Sequence, residues 1–125
     1  MIISRWLILF SLLLAVTSHA TPYIESQKEI QHLLEYVKLT NCQYERNGTQ
    51  HTGVEAVEHI KKKYDYYLDD IKTAEDFIEY SATKSKMSGK RYKVHCKGLS
   101  EQTSQDWLIK ELDLYRNSSK TNLKS

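Results

Sequence analysis

Apolar residues along this chain fall into runs with two different periods. Ile30, Leu33, Leu34 and Val37 recur at intervals of three and four, which puts them on one stripe of a helix ending near Lys38. Val57, Ile60, Tyr64, Tyr67, Leu68 and Ile71 form a second stripe. Asp69 and Asp70 suit the start of a helix better than its end, so the spacing predicts a break over 68–72. A third helix is predicted over 74–84, burying Phe77, Ile78, Ser81 and Ala82, and a fourth over 104–116, burying Trp107, Leu108, Leu112 and Tyr115. Hydroxyl residues three positions ahead of a carboxylate mark the starts: Ser26/Glu29, Thr52/Glu55, Thr73/Asp76 and Thr103/Asp106. The hydroxyl accepts an N–H that the first turn leaves unpaired, and the carboxylate reaches back to the cap. Thr21-Pro22 offers an earlier start for the first helix, with proline at its first position.

Two short stretches alternate instead. Cys42 and Tyr44 share one face of 42–46, Asn47-Gly48 then supplies a tight turn, and 49–51 returns. Residues 92–96 alternate in the same way. Antiparallel pairing with Cys42 opposite Cys96 sets Tyr44 against Val94 and Arg46 against Tyr92. The expected fold is α+β, in the order α-β-β-α-α-β-α: four helices packed on a small three-stranded antiparallel sheet, with one disulfide.

The opening segment reads differently. Arg5 precedes an apolar core over 6–16, and Ser18-His19-Ala20 ends it with small residues third from last and last before the cut. These are the parts of a secretory signal peptide, with cleavage expected between Ala20 and Thr21. The apolar core is shorter than the roughly 20 residues of a bilayer-spanning helix, so no membrane span is expected after cleavage. The organisation is then signal peptide 1–20, one domain over 21–116, and a polar flexible tail over 117–125. An exported chain with two cysteines is expected to join Cys42 to Cys96, and its place is the periplasm or the exterior. The sequence has 18 Lys plus Arg against 16 Asp plus Glu; without Arg5 the balance is +1. So even a balance argues against nucleic acid as a partner.

Several of these motifs occur together in a known family. Cys42-Gln-Tyr-Glu-Arg46-Asn47-Gly48 with His51, His59 and Lys63-Tyr64, then Thr73-Ala74-Glu75 with Phe77-Ile78, Ser88-Gly89-Lys90-x-Tyr92-x-Val94, and Trp107-Leu108 resemble the YfeK-like family of small exported bacterial proteins, domain of unknown function 5329. The resemblance covers nearly all of the chain after Ala20. Lys86-Met87 departs from the family's pattern of serine followed by an apolar residue. The resemblance implies an exported domain with no settled activity, and no catalytic residue carries over from it.

Candidate chemistry is sparse. No Gly-x-Ser-x-Gly is present, no thiol stands outside the disulfide pair, and no nucleophile, base and orienting group can be linked. The expectation is therefore a non-catalytic domain without a cofactor. His51, Glu55 and His59 recur every four residues, a spacing that can hold zinc on one helix. Thr52 reads as the cap, however, which leaves His51 outside the helix, so no metal site is assigned. Six basic residues and no acidic one lie over 84–97, a patch suited to an anionic polymer, lipid headgroup or acidic protein. The candidate ligand-binding set is Arg46, Asn47, His51, Lys86, Lys90 and Tyr92, joined if the hairpin turn meets the Ser88–Tyr92 loop. The expected role is a binding module for an anionic envelope component, glycan or lipid. The alternatives are an inhibitor or assembly factor meeting a partner protein through the tyrosine-rich second helix and, less favoured, a hydrolase or metal-dependent enzyme.

Overall fold

The computed structural model describes residues 21–122; the expected leader and its cleavage site at Ala20 fall outside them or at their edge. The order is α1 (Pro22–Leu39), β1 (Gln43–Arg46), β2 (Thr49–His51), α2 (Gly53–Tyr66), a 3-10 turn (Leu68–Asp70), α3 (Ala74–Ala82), β3 (Lys93–His95), β4 (Gln102–Thr103) and α4 (Ser104–Asn122). The fold is α+β, as expected, with four α-helices among the described residues. Its antiparallel sheet has four strands rather than three, ordered β2-β1-β3-β4. The additional strand is only two residues long, too short to show an alternation, and its Thr103 also accepts from Asp106 N–H at 3.1 Å to open α4.

The helix caps explain most boundaries. Thr52 and Glu55 form a complete capping box, as do Thr73 and Asp76. α1 begins at the earlier of the two expected starts: Thr21 Oγ1 accepts from Ile24 N–H at 3.2 Å, Pro22 follows, and Ser26 is buried inside the helix. α3 stops two residues before the expected 84. Thr83 Oγ1 turns back to Ile78 O at 2.8 Å, and the Thr83 carbonyl accepts from Tyr92 N–H at 3.0 Å, so the chain leaves the helix to pair with the segment before β3. α4 continues past the expected end at 116, so residues 117–122 are helical.

β1 and β3 pair in the expected register, with Tyr44 opposite Val94. One step beyond the ladder, the disulfide joins Cys42 to Cys96 with Cα atoms 4.4 Å apart. Tyr44 and Val94 point to the same side and join the core with Ile30, Leu33, Phe77, Ile78, Leu108 and Leu112. The Tyr44 hydroxyl crosses that core to Ser104 Oγ at 2.7 Å and donates to Ala82 O at 3.4 Å. The opposite side of the sheet carries charge: His95 meets Glu45 at 3.1 Å, and Lys93 meets Glu101 at 3.1 Å. Away from the sheet, Arg116 of α4 clamps Glu29 of α1 through two bonds of 2.6 and 3.0 Å and also reaches Glu75 of α3.

Gly53 fixes how α2 sits on α1. A Cβ there would lie 2.2 Å from the Val37 carbonyl oxygen and 2.9 Å from that of Lys38. Only a residue without a side chain allows the start of α2 to cross the end of α1 so closely.

Candidate functional site

The hairpin turn and the loop before β3 meet at one end of the sheet. Asn47 has φ 51° and Gly48 φ 79°, the left-handed pair that matches a two-residue hairpin to the twist of its strands. This turn presents the Asn47 amide to the loop. Ser88 Oγ donates to Asn47 Oδ1 at 2.6 Å, and Asn47 Nδ2 donates to Ser85 Oγ at 3.4 Å. The loop closes on itself as well: Ser85 N–H donates to Lys90 O, Gly89 N–H to Ser85 O, and Lys84 bridges Arg91.

Helix α2 makes the opposite wall. Lys63 Nζ donates to the Lys84 carbonyl at 2.6 Å and to the Tyr92 hydroxyl at 3.2 Å, and lies 5.0 Å from the Tyr92 ring centre. Lys86 reaches across from the loop, 5.3 Å from the Tyr66 ring and 5.2 Å from that of Tyr67. Between the walls lies an open groove of about 490 Å³, lined by Arg46 and Asn47 from the hairpin, Lys62, Lys63, Tyr66 and Tyr67 from α2 and its end, and the loop from Ser85 to Ser88 with Tyr92 behind it. Four of these residues are cationic, and among the described residues lining the groove none is acidic.

Of the six candidates from sequence, Arg46, Asn47, Lys86 and Tyr92 therefore come together here, while His51 and Lys90 are not among the groove's lining residues. His51 belongs to a smaller cluster behind the groove, where its Nδ1 lies 3.4 Å from Glu55 Oε2 and its ring meets His59 edge-on at 5.2 Å. Among the described residues no group of three or more His, Cys, Asp or Glu side chains is arranged to hold a metal ion. Arg46 was expected opposite Tyr92, and the β1–β3 register leads to that pairing one step past Glu45 and Lys93, but the guanidinium does not take the Tyr92 ring. Its Nη1 instead bonds His59 Nδ1 at 2.8 Å, and it is Lys63 that takes the Tyr92 ring. The lining residues absent from the candidate set are Lys62, Lys63, Tyr66 and Tyr67 on α2 and its end, and Ser85, Met87 and Ser88 in the loop. The sequence shows only that tyrosines at three positions within 64–67 cannot all face the core; it does not show that Lys62 and Lys63 would join them opposite the loop.

Comparison with family models finds a match over residues 24–116 to a family of unknown function, DUF5329. The chain belongs to this family. The matched segment holds every residue of the groove and both cysteines of this DUF5329 domain. No curated protein and no solved structure matches it.

The groove offers cations and aromatic faces side by side. Lysine and arginine side chains can neutralise a carboxylate, sulfate or phosphate, and arginine can do so with two parallel bonds. A phenol ring presents a flat apolar face with a polar edge, which suits a sugar ring.

Proposed function

We propose that this protein is an exported, non-catalytic binding module of the YfeK-like kind, and that its groove takes an anionic envelope component: an oxyanion carried on a ring that can lie against tyrosine, as in an acidic glycan. The observation that carries this reading is the convergence of Arg46, Lys62, Lys63 and Lys86 with Tyr66, Tyr67 and Tyr92 on one groove of about 490 Å³. That volume falls within the usual range for small-ligand sites, about 300–1,000 Å³. Export is supported by the Cys42–Cys96 disulfide, since such bonds persist mainly in oxidising compartments. It is compatible with the finding that, among the described residues, no helix is long and apolar enough to cross a membrane.

Calorimetry of the oxidised protein against a sulfated disaccharide, its unsulfated counterpart and vesicles of anionic or neutral lipid tests the reading. Saturable binding to the sulfated sugar, weakened by Arg46→Ala and by added salt, is expected. Binding to anionic vesicles alone would assign the same chemistry to a lipid headgroup. No binding to any of the anionic probes would contradict the groove as an anion site.

A second reading, docking of a partner protein, is favoured by the exposure of Tyr66 (74%) and Met87 (100%) on opposite sides of the groove mouth. Complex formation that survives high salt and is lost in Tyr66→Ser would select it.

A further inference from the structure

The bond between Arg46 and His59 constrains protonation. A guanidinium only donates, so His59 Nδ1, 2.8 Å from Arg46 Nη1, must be the acceptor. His59 is therefore neutral in this arrangement and carries its proton on Nε2. A proton on Nδ1 would set two N–H donors and two positive charges face to face.

The surroundings reinforce this. Arg46 comes from β1 and His51 from β2; Lys62 and Glu58 are neighbours on α2, and Lys63 and Tyr92 line the same small cavity. Among the described residues, Glu58 is the acidic group that acts on His59, and Glu55 is engaged by His51. Burial first, then the charges of Arg46, His51 and Lys62, hold His59 below the usual imidazole value. Arg46 stands between two spaces: it lines the small cavity with His59, and it lines the groove with Asn47 and Lys62. Its Nε is buried and has no hydrogen-bond partner among the described residues.

We infer that His59 is a positioning residue for Arg46, and that its protonation releases the guanidinium to the groove so that an anion binds there more tightly in acid. This rests on the groove being an anion site. Two effects act in the same direction. The freed Nη1 gains donors for the ligand, and the imidazolium adds positive charge beside the groove. By linkage, an anion in the groove must raise the His59 pKa by the same factor by which protonation tightens binding.

The test uses a sulfated disaccharide, whose charge stays constant across the range, titrated into the oxidised protein at about pH 8 and about pH 5, with the histidine and arginine side chains followed by NMR. The wild type should bind at least about fivefold more tightly at the lower pH, and the ligand should raise the His59 pKa correspondingly. In the free protein, the Arg46 guanidinium resonances should shift along the His59 titration curve. His59→Asn keeps an acceptor near the Nδ1 position without a titrating proton. It should retain binding and lose the pH dependence, whereas His51→Asn should keep it. Binding that is equal at both pH values, or a pH dependence that persists in His59→Asn, overturns the inference alone. No binding at either pH overturns the groove reading instead. The Arg46 resonances then still decide the coupling: an Arg46 signal indifferent to His59 titration refutes it.

Discussion

Ser88 Oγ donates a 2.6 Å hydrogen bond to Asn47 Oδ1, across 41 residues of sequence. This contact holds the turn between β1 and β2 against the loop before β3, and both residues line the groove. Asn47 serves in two ways, as a residue that tolerates positive φ and as the anchor for the loop. The two roles separate in Asn47→Gly, which keeps the backbone freedom and removes the anchor. The variant should fold with stability within about 1 kcal/mol of the wild type and show faster amide exchange over 85–90. Unchanged exchange there would mean that the loop is held by its own internal bonds.

Gly53→Ala should be among the most damaging small substitutions in the chain. The new methyl group would meet two backbone carbonyls, neither of which can move without shifting the end of α1. A loss of roughly 1–3 kcal/mol or more is expected in a denaturant titration. A loss near zero would contradict the close crossing of α1 and α2.

Much of the fold could be read from the sequence because several signals agreed. At Thr52 and Thr73 the cap, the charge pattern and the apolar stripe all point to one boundary. The β1–β3 register followed from the two cysteines and the alternation around Tyr44 and Val94. The parts that could not be read depend on tertiary contacts. β4 is two residues long and shares Thr103 with a helix cap. Thr83 leaves α3 because Tyr92, nine residues on, takes its carbonyl. In the site, the hairpin and loop were legible through the turn and the basic run. The α2 wall was not, because Lys63 can bind the Lys84 carbonyl only once α2 and the loop are packed together.

Removing the disulfide with Cys42→Ala and Cys96→Ala opens a link of sequence separation 54. The chain-entropy estimate for such a loop is about 4 kcal/mol, and measured losses are commonly about 2–4. Thermal unfolding should shift down accordingly, while the residual folded protein keeps its groove, because Asn47 and Ser88 join it independently. An unchanged midpoint would show that the link adds nothing to the β1–β3 pairing.

Acid stability should depend on Arg116. Its hydrogen bond to Glu75 holds that carboxyl below its ordinary value, as the largest of several causes. A depressed carboxyl gives stability that is present above the unfolded-state pKa of 4.5 and is lost as pH falls through the folded value. Arg116→Gln should therefore narrow the difference in stability between neutral and strongly acidic solution. The effect should be small, since the Glu75 side chain is about half exposed and screened by solvent. An identical pH profile in the variant would remove Glu75 from the account.

The most direct test of the central claim is an amide-shift NMR titration of the oxidised protein with the sulfated disaccharide, in wild type, in Arg46→Ala and Lys62→Ala, and in Lys90→Ala as a control outside the groove lining. The account predicts saturable shifts confined to 46–47, 62–67 and 85–92, with binding weakened about tenfold in the first two variants, as expected for loss of a charged hydrogen bond, and unchanged in the third. Shifts centred on another face of the molecule, or affinity indifferent to Arg46 and Lys62, would contradict it.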